Sequence, residues 1–149
     1  MSLNFSISQE KQLDEIVKKL IKSISAHQIF FFEGEVGSGK TTLIRYLLEG
    51  IAKLENKKLF FQGSPTYQRE HIYNFKKYDV VHFDFYQVDN SPIDIDEYLL
   101  SNCIFIEWPQ DALKSKYFDE ALFIKIDLKN KTREIKIQSC NKKWLQKIK

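Results

Sequence analysis

The segment Gly34-Glu35-Val36-Gly37-Ser38-Gly39-Lys40-Thr41 limits what this chain can fold into more than any other eight residues. It matches G-x-x-x-x-G-K-[ST] at every defined position. Glycines let the backbone curl until successive N–H groups point inward at an anion, and the start of a helix adds the positive end of its dipole. Lys40 brings a mobile charge for β- and γ-phosphates, Thr41 a hydroxyl suited to a divalent cation, and Thr42 lies within reach of an α-phosphate. The flanks supply the context that such a loop needs. Residues 29–32 are a continuous apolar run, too short for a helix and fit for a strand covered on both faces of a parallel sheet. Leu43, Ile44, Leu47, Leu48 and Ile51 then follow helical spacing. The expected fold class is therefore α/β, a P-loop NTPase domain whose nucleotide meets Gly37, Ser38, Gly39, Lys40, Thr41 and Thr42.

At 149 residues there is room for a single domain over 1–149, and 43% hydrophobic residues with only five Gly and three Pro describe a packed chain rather than a linker. No apolar run nears the roughly 18 residues of a membrane span, and no leader pattern opens the chain, so the expected location is the cytoplasm. Met1-Ser2-Leu3, which could be left over from expression, are set aside. Cys103 and Cys140 are far apart, with no Cys-x-x-Cys pair and no His at metal-ligand spacing, and read as reduced structural thiols. Residues 129–149 carry eight Lys or Arg and one acid, while the rest of the chain has an excess of acids. That basic end suits nucleic acid or an acidic partner, and equally a solvated surface.

Ser8 reads as the N-cap of a first helix through Leu13, Ile16, Val17, Leu20, Ile21 and Ile24. Leu59-Phe60-Phe61 reads as a short strand, with a turn at Gly63-Ser64-Pro65. Residues 67–73 and 78–85 read as an antiparallel pair, 94–100 as a short helix, 103–107 as a second buried strand, and 110–117 as a short helix or loop. Ile124, Ile126 and Leu128 alternate with charged residues, as do Ile135 and Ile137 with polar ones, and Asn130-Lys131 offers a turn between them. The sheet is thus mixed parallel and antiparallel, flanked by helices, and Trp144, Leu145 and Ile148 share one face of a basic helical tail over 141–149.

A P-loop enzyme needs an acid at the end of an apolar strand to hold the metal and orient water. Asp84 and Glu107 both stand there, and either could ligate the metal while the other acts through water or as a base. No Asn/Thr-Lys-x-Asp stretch is present to read guanine, since Asn130-Lys131 runs on into Thr132-Arg133. The chain has only Arg45, Arg69 and Arg133 with which to build a kinase lid. Adenine and water are the favoured substrates.

Beyond the loop, Ser64-Pro65-Thr66-Tyr67, His82-Phe83-Asp84-Phe85-Tyr86 and Ile106-Glu107-Trp108-Pro109 occur in the order and spacing of the TsaE (YjeE) family, the ATPase of tRNA threonylcarbamoyladenosine biosynthesis. The likeness runs from about Ser8 to Ser139. The resemblance implies a compact P-loop fold with a mixed sheet and a Mg-dependent ATPase that binds ATP and Mg²⁺. It also implies that Lys40, Asp84, Glu107 and Thr66 carry the chemistry, with Thr66 sensing the γ-phosphate and Thr41 and Glu107 as metal ligands. Trp108 would stand beside the site, Arg133 near the adenine, and the segment around Lys11 at the edge of the base. One departure is Gln87, where the family usually has an arginine; a glutamine brings no charge to that position. The implied role is ATP hydrolysis in threonylcarbamoylation of the adenosine 3′ of the anticodon in tRNAs reading codons that begin with A; a domain this small with few arginines is expected to hydrolyse slowly alone and faster with partners. The implied partners are TsaD- and TsaB-type transferase subunits, with a TsaC-type synthase supplying the activated group and tRNA met only through the complex. A small-molecule kinase and a nucleotide-gated binding module are the rival readings of the same loop.

Overall fold

Four consecutive apolar side chains without polar relief demand cover on both faces, and Ile29–Glu33 (β2) obtains it at the middle of a sheet. The computed structural model describes residues 2–65, 70–86 and 94–149. Around β2 stand β1 (Ser2–Ile7), β3 (Glu70–Asn74), β4 (Asp79–Asp84), β5 (Asn102–Glu107), β6 (Leu122–Lys129) and β7 (Thr132–Gln138). The helices are α1 (Leu13–Ile21), α2 (Lys40–Leu54), α3 (Ile95–Leu99), α4 (Asp111–Lys116) and α5 (Lys142–Ile148). Among the described residues the strands form one sheet in the order β1-β7-β6-β2-β5-β4-β3. β2 runs parallel to β5 and β6, and β4 parallel to β5, with Asp84 beside Glu107. The β3–β4, β6–β7 and β1–β7 pairs are antiparallel, which makes the sheet mixed.

Strand parity divides the core in two. Phe30, Phe32 and Phe105 face a layer built from α1, α2 and α5, whereas Phe31, Phe83 and Ile106 face Ile95 of α3 and Tyr117 just beyond α4. Trp144 of α5 meets Phe30 edge-on at 5.3 Å, and Leu145 and Ile148 are buried beside it, so the basic tail is a packed helix with its lysines outward.

Three expectations fail, each for a local reason. Ser2 and Leu3, set aside above, are part of the sheet: they belong to β1, paired from Ser2↔Gln138 to Ile7↔Arg133. Ser8 caps no helix. The Gln12 side chain accepts hydrogen bonds from the Ser8 and Gln9 backbone N–H groups at 2.7 and 2.8 Å, a 3-10 turn (Glu10–Gln12) follows, and α1 stops at Ile21, short of Ile24. Leu59-Phe60-Phe61 is not a strand; Phe61 stacks on Tyr73 at 6.1 Å, the Gln62 N–H donates to the Tyr73 hydroxyl at 3.0 Å, and Phe60 is 86% exposed. The trio serves side-chain packing, with no ladder to join. Among the described residues no helix is long and apolar enough to cross a membrane.

Cys103 is fully buried in β5, and burial pushes its thiol pKa up, whereas Cys140 is exposed between β7 and α5. A thiol-specific chromogenic reagent is expected to titrate one thiol in the native protein, at Cys140, and a second only on unfolding. Rapid reaction at both under native conditions, read by mass mapping, is the contrary outcome.

Candidate nucleotide site

The loop between β2 and α2 depends on glycine at Gly34, whose φ is +147°. A Cβ there would lie 2.5 Å from the Ile126 carbonyl oxygen and 2.6 Å from Ser38 Oγ, so no other residue fits without moving β6 or the loop. Gly39, at φ +112°, precedes α2, whose first residue is Lys40. The free N–H groups of that first turn face the loop, as anion binding at a helix N-terminus requires.

Lys40 is 5% exposed. Its ammonium donates to the Gly34 and Glu35 carbonyls at 2.6 and 2.9 Å, and to Ser38 Oγ at 3.5 Å. It also lies 4.5 Å from the centre of the Trp108 ring. Burial lowers its pKa, and the charges of Glu107 and Asp84 oppose that shift. Trp108 holds its place at a conformational cost: its φ is +54°, about 1–3 kcal/mol unfavourable for a residue with a side chain. A backbone bond to the Phe32 carbonyl at 3.3 Å and the Tyr86 ring at 4.8 Å fix the indole beside the lysine.

Glu107, at the end of β5, is 2% exposed. One oxygen, Oε1, accepts from the Thr41 hydroxyl at 2.7 Å. The other, Oε2, faces His82 Nε2 at 2.6 Å and Ser64 Oγ at 3.4 Å. Asp84, its neighbour across the sheet, accepts from Ser64 Oγ and from the Tyr86 N–H at 2.9 Å. Ser64, with one proton to donate, stands between the two carboxylates and bonds the nearer, Asp84.

A cleft of about 350 Å³ brings together Gly37, Gly39, Lys40, Thr41, Thr42, Asp84, Glu107, Trp108 and Arg133. Next to it, sharing Gly39, Thr42 and Arg133, a second cleft of about 240 Å³ is lined by these and Ser38 together with the apolar Ile7, Leu13, Ile126 and Ile135. Its apolar walls and the guanidinium suit a flat heteroaromatic ring. Lys11 lies on the exposed 3-10 turn and does not line this cleft; its neighbour Glu10 does, paired with Arg45 at 3.1 Å. Thr66, Arg69 and Gln87 lie outside the described residues.

Sequence reasoning quoted Ser64, His82 and Tyr86 within the motifs but gave none of them a role against Glu107, Asp84 or Trp108. The usable signal for His82 was parity: it stands two residues before Asp84 on one strand, so both side chains face α2.

The family model described as threonylcarbamoyl adenosine biosynthesis protein TsaE matches residues 7–136. The tRNA threonylcarbamoyladenosine biosynthesis protein TsaE of Borreliella burgdorferi is 31% identical over 114 residues, covering 70% of this chain and 76% of that protein. The protein of the same description from Streptomyces coelicolor is 26% identical over 145 residues, covering 87% and 92%. Among solved structures, the crystal structure of YdiB from Bacillus superposes with a TM-score of 0.72 at 20% identity, over 99% of this chain and 91% of that one, and shares its P-loop NTPase fold. A match from Ile7 on β1 to Lys136 on β7 takes in the phosphate loop, both strand-end carboxylates and Arg133, and the chain belongs to the TsaE family of threonylcarbamoyladenosine biosynthesis proteins.

Proposed function

We propose that this chain, one ATPase domain over 1–149, binds Mg-ATP in the loop of residues 34–41 and hydrolyses it. In this reading hydrolysis drives a TsaD/TsaB-type transferase complex that threonylcarbamoylates the adenosine 3′ of the anticodon in tRNAs reading codons that begin with A, in the cytoplasm. The observation that carries it is the 2.7 Å bond between the Thr41 hydroxyl and Glu107 Oε1, which joins the phosphate loop to a strand-end acid beside the Lys40 ammonium. Thr41, Glu107 and Asp84 offer hard oxygen donors within one cleft, a set suited to Mg²⁺. Thr41 and Glu107 would hold the metal, which when bound neutralises phosphate charge. Lys40 and the α2 N-terminus would hold the β- and γ-phosphates, Asp84 would orient water, and Trp108 would shield the ammonium from solvent. Arg133 and the apolar wall of the second cleft would take the adenine, with the turn around Lys11 at its rim, and Thr66 would report the γ-phosphate.

A domain of this size with few arginines is expected to turn over slowly alone. Completion of such a site by another subunit is worth several kcal/mol of barrier in related chemistry. Steady-state phosphate release, measured with and without purified TsaD- and TsaB-type subunits, is expected to rise at least about tenfold in their presence. Fast turnover that partners leave unchanged would instead indicate an autonomous ATPase.

A further inference from the structure

We infer that His82 is a positioning residue for Glu107, setting the carboxylate's orientation so that it can serve the metal of the proposed ATPase. The role rests on that functional reading and adds to it a residue that does not line the cleft.

Three observations converge on it. His82 is fully buried in β4 and its Nε2 lies 2.6 Å from Glu107 Oε2, both groups being almost inaccessible to solvent. The nitrogen facing a carboxylate carries the proton, so Nε2–H donates. The two oxygens of Glu107 are thereby divided, Oε2 held by the imidazole and Oε1 turned to the Thr41 hydroxyl. Without His82, the only other donor to Oε2 among the described residues is Ser64, at 3.4 Å. The carboxylate would be free to rotate about its last bond, away from Thr41.

The second nitrogen, Nδ1, is buried without a hydrogen-bond partner among the described residues. An unpartnered buried polar atom costs stability, and on its own face of the sheet His82 stands beside the buried Val80 and, across the sheet, Phe105, in a position where an apolar residue avoids that cost. Packing therefore does not account for an imidazole here, whereas the aim of Nε2 does. Groups that orient a metal-ligating carboxylate typically change metal affinity or activity by about 10–100-fold when removed.

The test is an equilibrium one, so it does not depend on turnover. ATP affinity is measured by calorimetry with Mg²⁺ and with EDTA, and the ratio of the two gives the metal's contribution. His82→Leu is expected to lower that ratio at least about tenfold while leaving the EDTA affinity unchanged. His82→Gln, whose side-chain amide reaches the Nε2 position, is expected to restore it. His82→Asn, whose shorter amide reaches only the Nδ1 position, is not. Should the leucine variant fail to fold, the contrast between Gln and Asn carries the test. A Mg²⁺ contribution that survives in both Leu and Asn overturns the positioning role alone, as does equal failure of folded Gln and Asn. A wild-type protein whose ATP affinity ignores Mg²⁺ overturns the functional reading and this role with it.

Discussion

Lys40→Ala is expected to weaken Mg-ATP binding by about a hundredfold or more. Hydrogen bonds to charged groups contribute about 1.5–3 kcal/mol each, and two lost bonds to phosphate oxygens reach that factor at about 1.4 kcal/mol per tenfold. The structure adds a second reason. The ammonium braces the loop from inside, joining the carbonyls of Gly34 and Glu35 to Ser38 Oγ. Alanine removes that brace as well as the charge, so N–H groups already curled for an anion lose part of their preorganisation. Lys40→Arg is not expected to rescue, because a planar guanidinium cannot occupy a nest shaped for a compact ammonium that is only 5% exposed. Calorimetric titration of the folded variant decides the matter, and an unchanged dissociation constant would remove the nucleotide from this loop.

The second large effect is expected of Glu107→Gln: a loss of about a hundredfold or more in ATP hydrolysis with the fold intact. The amide can keep both neighbours, accepting from His82 through its oxygen and donating its N–H to a rotated Thr41 hydroxyl, so what disappears is the charge. Asp84→Asn is expected to impair hydrolysis with less effect on Mg²⁺-dependent binding, since among the described residues Glu107 and not Asp84 is hydrogen-bonded to the phosphate loop, and Asp84 is less buried. Phosphate release and thermal melting, measured on the same samples, separate lost chemistry from lost structure. Full activity in both variants would mean that neither carboxylate serves the metal.

Much of this molecule was legible because its central strands announce themselves. The runs ending in Asp84 and Glu107 and the apolar stretch before Gly34 are the three strands that build the site, and each was readable without knowing its neighbours. The sheet's margins were harder. Leu3, Phe5 and Ile7 alternate with Asn4 and Ser6 at period two, yet β1 has meaning only against β7, which lies at the far end of the chain. Leu59-Phe60-Phe61 shows the opposite error: three apolar residues look like a strand, but a strand needs a ladder to join, and here Tyr73 offers only a ring and a hydroxyl. Parity could put His82 on the face of Asp84, but its contact with Glu107 depends on the register of a parallel pair, and that of Ser64 on the path of a loop, neither of which is written in the local sequence.

The order of the strands also dictates how this chain must be assembled in time. Ser6 and its partner Glu134 are 128 residues apart, so β1 is made long before the strand it pairs with. β2, the strand that begins the phosphate loop, has its two edges closed only by β5 and β6, which are made much later. At about 5–20 residues per second, Phe30, Phe31 and Phe32 wait several seconds for those partners. The nascent chain therefore carries its phosphate loop beside a strand with four consecutive apolar residues and no strand partner from β5 or β6 throughout that interval.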